Sequence, residues 1–150
     1  MRRSAVALVL FIAILCASPL PAAESAPTLL GKWRGSYTCL QGRTGLLLTI
    51  EEAVGAVFTG EFAFFPLPEN PKVPKGRFAI AGTFNATSGR VAAKGVRWIE
   101  QPSNYLMVDL SGTLSDDGRS IDGKLEFTGC TSFHVTREGE ARPSTKAKGS

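Results

Sequence analysis

The sequence predicts an all-β domain, a single antiparallel up-and-down barrel of about eight strands that follows an N-terminal signal helix. Three observations carry this expectation. After the leader, apolar and polar residues alternate at period two, the repeat of a strand with one buried face. Short glycine-containing polar turns punctuate the alternation. Helical periodicity is nearly absent beyond the leader, so nothing supplies the crossover connections that parallel strands need. Sequential strands without crossovers form a meander, and a meander with one apolar face loses its exposed edges by closing on itself.

The leader comes first in chain order. Arg2 and Arg3 are followed by an uninterrupted apolar run, Ala5 to Ala17, then by Ser18-Pro19-Leu20-Pro21 and the small residues Ala22, Ala23, Ser25 and Ala26. A basic start, a short apolar stretch and a small-residue exit are the parts of a secretory signal peptide. The run is shorter than the roughly 20 apolar residues a spanning helix needs, which argues against a retained membrane anchor. Leu15, rather than a small residue, precedes Cys16, which argues against lipidation there. Cleavage is expected near residues 22–25, at Leu20-Pro21-Ala22 or Ala23-Glu24-Ser25. The expected division is therefore a signal peptide over 1–25, a barrel domain over 26–137 and a disordered polar tail over 138–150. The mature protein is expected to be secreted or periplasmic.

The first predicted strand, Gly31–Cys39, puts Trp33, Tyr37 and Cys39 on one face. The second, Leu46–Glu51, aligns Leu46, Leu48 and Ile50. The third, Ala56–Phe64, aligns Phe58, Phe62 and Phe64, and the fourth, Gly76–Phe84, aligns Phe78, Ile80 and Phe84. The fifth to eighth are Arg90–Trp98, Tyr105–Leu114, Ser120–Phe127 and Cys130–Arg137. Asn85-Ala86-Thr87-Ser88-Gly89 and Ser115-Asp116-Asp117-Gly118 suit tight hairpins. Residues Pro66–Lys75 contain four prolines, which cannot donate to a ladder, so this segment is a stiff end connection. Glycine recurs two residues before an apolar residue at Gly60, Gly82, Gly112 and Gly123, as sharp bends or close strand approach require.

Charge and cysteine content narrow the function classes. The chain has 17 Lys and Arg against 13 Asp and Glu, a net charge of +4. Arg2 and Arg3 leave with the signal, and the tail carries three basic and two acidic groups, so the folded part is near +1. That is no electrostatic footprint for nucleic acid. Of three cysteines, Cys16 leaves with the leader, and Cys39 and Cys130 form the even pair that an exported protein oxidises to one disulfide. In a closed meander the first strand lies beside the eighth. With Cys39 facing Cys130, Trp33 faces Thr136 and sits beside Arg137.

Gly31-Lys32-Trp33 at the start of the first strand, with Arg137 ending the last, resembles the calycin pattern shared by lipocalins and avidin-type barrels. The resemblance implies that Trp33 plugs one end of the barrel beneath the Arg137 side chain. Residues 33–46 (WRGSYTCLQGRTGL), 65–71 (FPLPENP), 98–102 (WIEQP) and 129–133 (GCTSF) together resemble a bacterial secreted domain of unknown function that sometimes accompanies caspase-like peptidase domains. This resemblance spans Leu30 to Arg137. It implies an extracytoplasmic accessory module and brings no catalytic residues with it.

The residues themselves offer little catalytic chemistry. His134 is the lone histidine and, on a strand between Phe133 and Val135, reads as a surface or structural residue rather than a catalyst. No nucleophile elbow, phosphate loop or zinc-binding histidine pair is present, and Asp116, Asp117 and Asp122 read as a hairpin turn rather than a calcium loop. No catalytic residue, metal or cofactor is expected. Asn85-Ala86-Thr87 is a glycosylation acceptor only in a eukaryotic secretory pathway.

The candidate ligand site is one rim of the barrel. Loops after alternate strands share an end, which gathers Gln41, Arg43 and Thr44 with Trp98, Glu100 and Tyr105, beside Phe65, Glu69 and Asn70 of the proline loop. Aromatic faces with a few polar groups are how small binding sites are furnished. The structural alternative is that Trp98 and Tyr105 cap the core and Arg43 pairs with Glu100. The expected function is a non-enzymatic binding or interaction module for a small ligand, glycan or exported protein, without a stable membrane anchor. The alternative is an inhibitor of an exported hydrolase or protease, whose segment Glu24–Leu30 enters the enzyme's cleft.

Overall fold

The computed structural model describes residue 20 and residues 27–139. The rest of the expected leader, and the expected tail from residue 140 on, lie outside the described residues. The described chain forms eight strands: β1 (Gly31–Cys39), β2 (Gly42–Val54), β3 (Val57–Phe65), β4 (Gly76–Asn85), β5 (Arg90–Glu100), β6 (Asp109–Leu114), β7 (Ser120–Glu126) and β8 (Ser132–Arg137). Each pairs antiparallel with the next, and β8 returns to β1, so the sheet is one closed barrel in simple chain order. The expected fold class is the observed one.

The period-two pattern explains the burial. Leu48 and Ile50 on β2, and Phe58, Phe62 and Phe64 on β3, are buried between neighbours that are mostly exposed or half-exposed, and Leu46 is buried beside Gly45. Gly35 lets the barrel shut, because a Cβ there would run into the His134 carbonyl across the β1–β8 seam. The turns also use glycine where the backbone demands it: Gly89 and Gly118 close their hairpins at φ of 73° and 70°.

One end of the barrel is a closed floor. Trp33 is wholly buried, and its indole N–H donates to the Leu29 carbonyl at 2.9 Å. The Arg137 guanidinium lies 4.1 Å from the centre of the Trp33 ring. Its nitrogens donate to the carbonyls of Leu30 (2.7 Å), Thr28 (2.5 Å) and Gly118 (3.2 Å). This is the contact that the calycin pattern implies for these two residues, and it fastens residues 28–30 beneath the barrel. Leu29 is itself buried.

Two departures from expectation bear on the site. Trp33 pairs with Arg137, not Thr136, and Tyr37 with Phe133. The β1–β8 register is therefore one residue off the one inferred from facing cysteines. The disulfide Cys39–Cys130 still forms, because β8 begins only at Ser132 and residues 127–131 make a turn around Gly129, tied to β1 where Thr131 N–H donates to the Thr38 carbonyl at 2.9 Å. Second, β6 starts at Asp109 rather than Tyr105. The β5–β6 ladder joins only Arg90–Ala93 to Leu110–Thr113. Beyond it the Asp109 carboxylate replaces the ladder, accepting from Gly95 N–H at 3.1 Å and from Lys94 Nζ at 3.2 Å. Residues 101–108 thus run as a loop beside the upper half of β5.

Candidate functional site

The end opposite the floor is open. A cavity of about 270 Å³ enters the barrel there, between the β1–β2 turn, the loop 101–108 and the β7–β8 turn. Its depth is aromatic. Phe62 and Phe78 stack at 4.7 Å, Tyr37 meets Phe62 edge-on at 5.5 Å, and Phe64 stacks on Tyr105 at 5.2 Å. Its mouth is apolar and exposed. Leu40 is 83% exposed, Leu106 65% and Phe127 41%, and all three line the opening. Large apolar side chains gathered around a hollow mark a binding surface more often than a scattering of single ones does.

Local sequence sets each wall. At the β1–β2 turn Gly42 takes φ of 91°, which a side chain rarely adopts, so Leu40 and Gln41 sit at the apex. Asn70, from the proline loop, pins that turn by donating to the carbonyls of Gln41 at 2.7 Å and Arg43 at 3.1 Å. In the second wall Asn104 adopts φ of 66°, a conformation asparagine tolerates. Tyr105 N–H donates to the Pro102 carbonyl at 3.3 Å, and Gln101 Nε2 to the Tyr105 carbonyl at 3.1 Å. The third wall carries Phe127, Thr128 and Cys130, and the disulfide joins it to the first.

Of the six predicted rim residues, Gln41 and Tyr105 line the cavity. Thr44 is buried just behind it, where Gln41 Nε2 donates to its Oγ1 at 3.3 Å. Trp98 packs edge-on against Phe64 and Phe78 as support rather than lining. Arg43 and Glu100 point elsewhere and do not pair with each other. Arg43 bonds Glu69 at 2.5 Å, and Glu100 lies 3.8 Å from Arg77. The Glu69 carboxyl is held below its ordinary value first by a backbone hydrogen bond and then by Arg43. The residues that the sequence reading did not single out are Leu40, Leu106, Val108 and Phe127. Their one sequence signal is an apolar residue standing in a turn or loop without alternation around it.

Polar contacts at the cavity form one chain. Gln41 Nε2 donates to the Tyr37 hydroxyl at 3.2 Å as well as to Thr44, and Thr44 Oγ1 donates to the Gly42 carbonyl at 3.2 Å. Burial pushes the Tyr37 phenol far above its ordinary value, with Tyr105 adding to the rise and the Thr44 and Gln41 hydrogen bonds opposing it. Tyr37 therefore keeps its proton at any physiological pH.

Elsewhere, His134 Nδ1 meets Asp122 Oδ1 at 2.6 Å on the exposed outer face, and the Cys39 sulfur is in the disulfide. A wider hollow, about 1060 Å³, follows the outside of β4 to β7 past Thr83, Ala92 and Ser111. It is an open surface whose lining includes Phe84, Arg90, Asp122 and Lys124. Among the described residues no group of three or more His, Cys, Asp or Glu could hold a metal. A scan against protein-family models finds no match for this chain, and a search of the curated proteins finds none either.

Proposed function

We propose that this domain is an exported, non-enzymatic binding module that takes a small apolar ligand in the open end of its barrel. The observation that carries this is the aromatic cavity of about 270 Å³ behind a mouth of exposed Leu40, Leu106 and Phe127. Its volume lies at the small end of ligand pockets, which run from about 300 Å³ upward. The disulfide supports an oxidising compartment, in keeping with the leader. Among the described residues the cavity's lining is apolar and neutral, which suits an apolar ligand. For the inhibitor alternative, fastening of residues 28–30 to the floor leaves little of the proposed N-terminal segment to enter a cleft.

The test is fluorescence titration of the purified mature protein with N-phenyl-1-naphthylamine. Saturable enhancement is expected. Val108→Trp, which fills the cavity, should abolish it, and Arg90→Ala, at the outer hollow, should leave it unchanged. Enhancement that survives Val108→Trp and disappears with Arg90→Ala would place binding on the outer face and end this reading.

A further inference from the structure

We infer that the ligand is uncharged and cyclic, and that it donates a hydrogen bond to the Gln41 side-chain carbonyl. This rests on the cavity being the binding site, and it adds the chemical class. The cavity is lined by six aromatic rings, the disulfide, aliphatic side chains, Gln41, Asn104 and Thr128, with no charged side chain among them. An ion entering such a lining would shed hydration without meeting a counter-charge. Flat ring faces at Phe62–Phe78 and Phe64–Tyr105 suit a planar or cyclic body.

The orientation of the Gln41 amide follows from its neighbours. Thr44 Oγ1 gives its proton to the Gly42 carbonyl, so toward Gln41 it can only accept. The group of Gln41 that faces Thr44 is therefore the NH₂, and the same nitrogen donates to Tyr37. With both N–H bonds committed, Oε1 is left as an acceptor without a protein donor among the described residues, on a side chain that lines the cavity. Tyr37 and Thr44 thus act as positioning residues, and Gln41 reads the ligand. A neutral hydroxyl or N–H on a small ring satisfies that acceptor. A carboxylate would set oxygen against oxygen, and an ammonium would exchange its hydration for ring faces and one carbonyl without meeting a counter-charge.

Four molecules of one shape separate the contributions: p-cresol, toluene, p-toluate and 4-methylbenzylammonium, each competing with N-phenyl-1-naphthylamine on the mature protein near neutral pH. p-Cresol should bind about five-fold tighter than toluene, the worth of one net hydrogen bond. Both ions should bind at least about ten-fold more weakly than p-cresol. Gln41→Leu should remove the p-cresol advantage while leaving toluene binding in place, which also shows that the variant is folded. Asn104→Ala should keep the advantage. An ion that competes as well as p-cresol, or an advantage that survives Gln41→Leu, overturns the inference while the cavity stands as the site. Probe binding without competition from any of the four also overturns it. Absence of probe binding removes the site reading and this inference with it.

Discussion

The two ends of the barrel are built from similar aromatic residues and do opposite things. At the floor, Trp33 is wholly buried, its N–H bonded to Leu29 and its face covered by Arg137, which in turn satisfies the carbonyls of Thr28, Leu30 and Gly118. At the mouth, Phe62, Phe64 and Tyr105 enclose a hollow, and Leu40 and Leu106 stand in solvent. The floor is closed by packing and hydrogen bonds, whereas the mouth is tied across the β1–β8 seam by one covalent bond, Cys39–Cys130. The difference separates a packed end from an open one, and the proposed function assigns binding to the open end. Full packing leaves no room for a ligand, so room at the mouth comes at the expense of packing, and the disulfide offsets that loss by restraining the unfolded chain.

The comparison can be broken at either end. The largest effect is expected from removing the disulfide. Cys39→Ala with Cys130→Ala opens a loop of 91 residues' separation, which the chain-entropy model values at about 4–5 kcal/mol. Urea unfolding followed by fluorescence should show that loss. A loss well below it would mean that packing at the mouth, rather than the cross-link, holds that end. Next comes Trp33→Ala, expected to cost about 3–5 kcal/mol as a large buried aromatic truncation. Probe affinity of the folded fraction should stay the same, because the floor lies away from the cavity.

Arg137→Met keeps the aliphatic cover of Trp33 but removes the cation and its donors. It should cost about 1–3 kcal/mol in the same unfolding assay, from the cation–π contact and the lost hydrogen bonds to backbone carbonyls. The smallest stability effect belongs to the mouth. Leu40→Ser and Leu106→Ser should each change stability by no more than about 0.5 kcal/mol, since exposed side chains contribute little. Each should nonetheless weaken probe binding several-fold in the fluorescence titration. A pair of variants that unfolds the protein without touching binding would reverse the roles assigned to the two ends.

The floor was readable in the sequence and the mouth only partly so. Trp33 and Arg137 carry a short pattern whose meaning depends on strand order alone, and a meander fixes strand order. The β1 bounds, Gly31–Cys39, also follow directly from alternation between two glycine-marked ends. The start of β6 was not readable. Tyr105 to Val108 has strand-like composition, but Asp109 captures the Gly95 N–H and leaves these residues outside the ladder. Register at the seam missed by one residue, because a disulfide constrains two side chains and not the ladder below them. In the site, polar and aromatic loop residues point to Gln41 and Tyr105, and equally to Arg43 and Glu100, whose charges find partners outside the cavity in Glu69 and Arg77. Leu40, Leu106 and Phe127 carry the mouth through exposure, which only the folded chain reveals.

The central claim is that apolar ligands enter the open end of this barrel and nowhere else. Isotope-filtered NMR of the mature protein with toluene tests it directly. Contacts between toluene protons and Tyr37, Phe62, Tyr105 and Val108 are expected, with the signals of Trp33 and Ala92 unmoved. Contacts gathered at Ala92 and Ser111 on the outer face, or none inside the mouth at saturating toluene, would contradict the account.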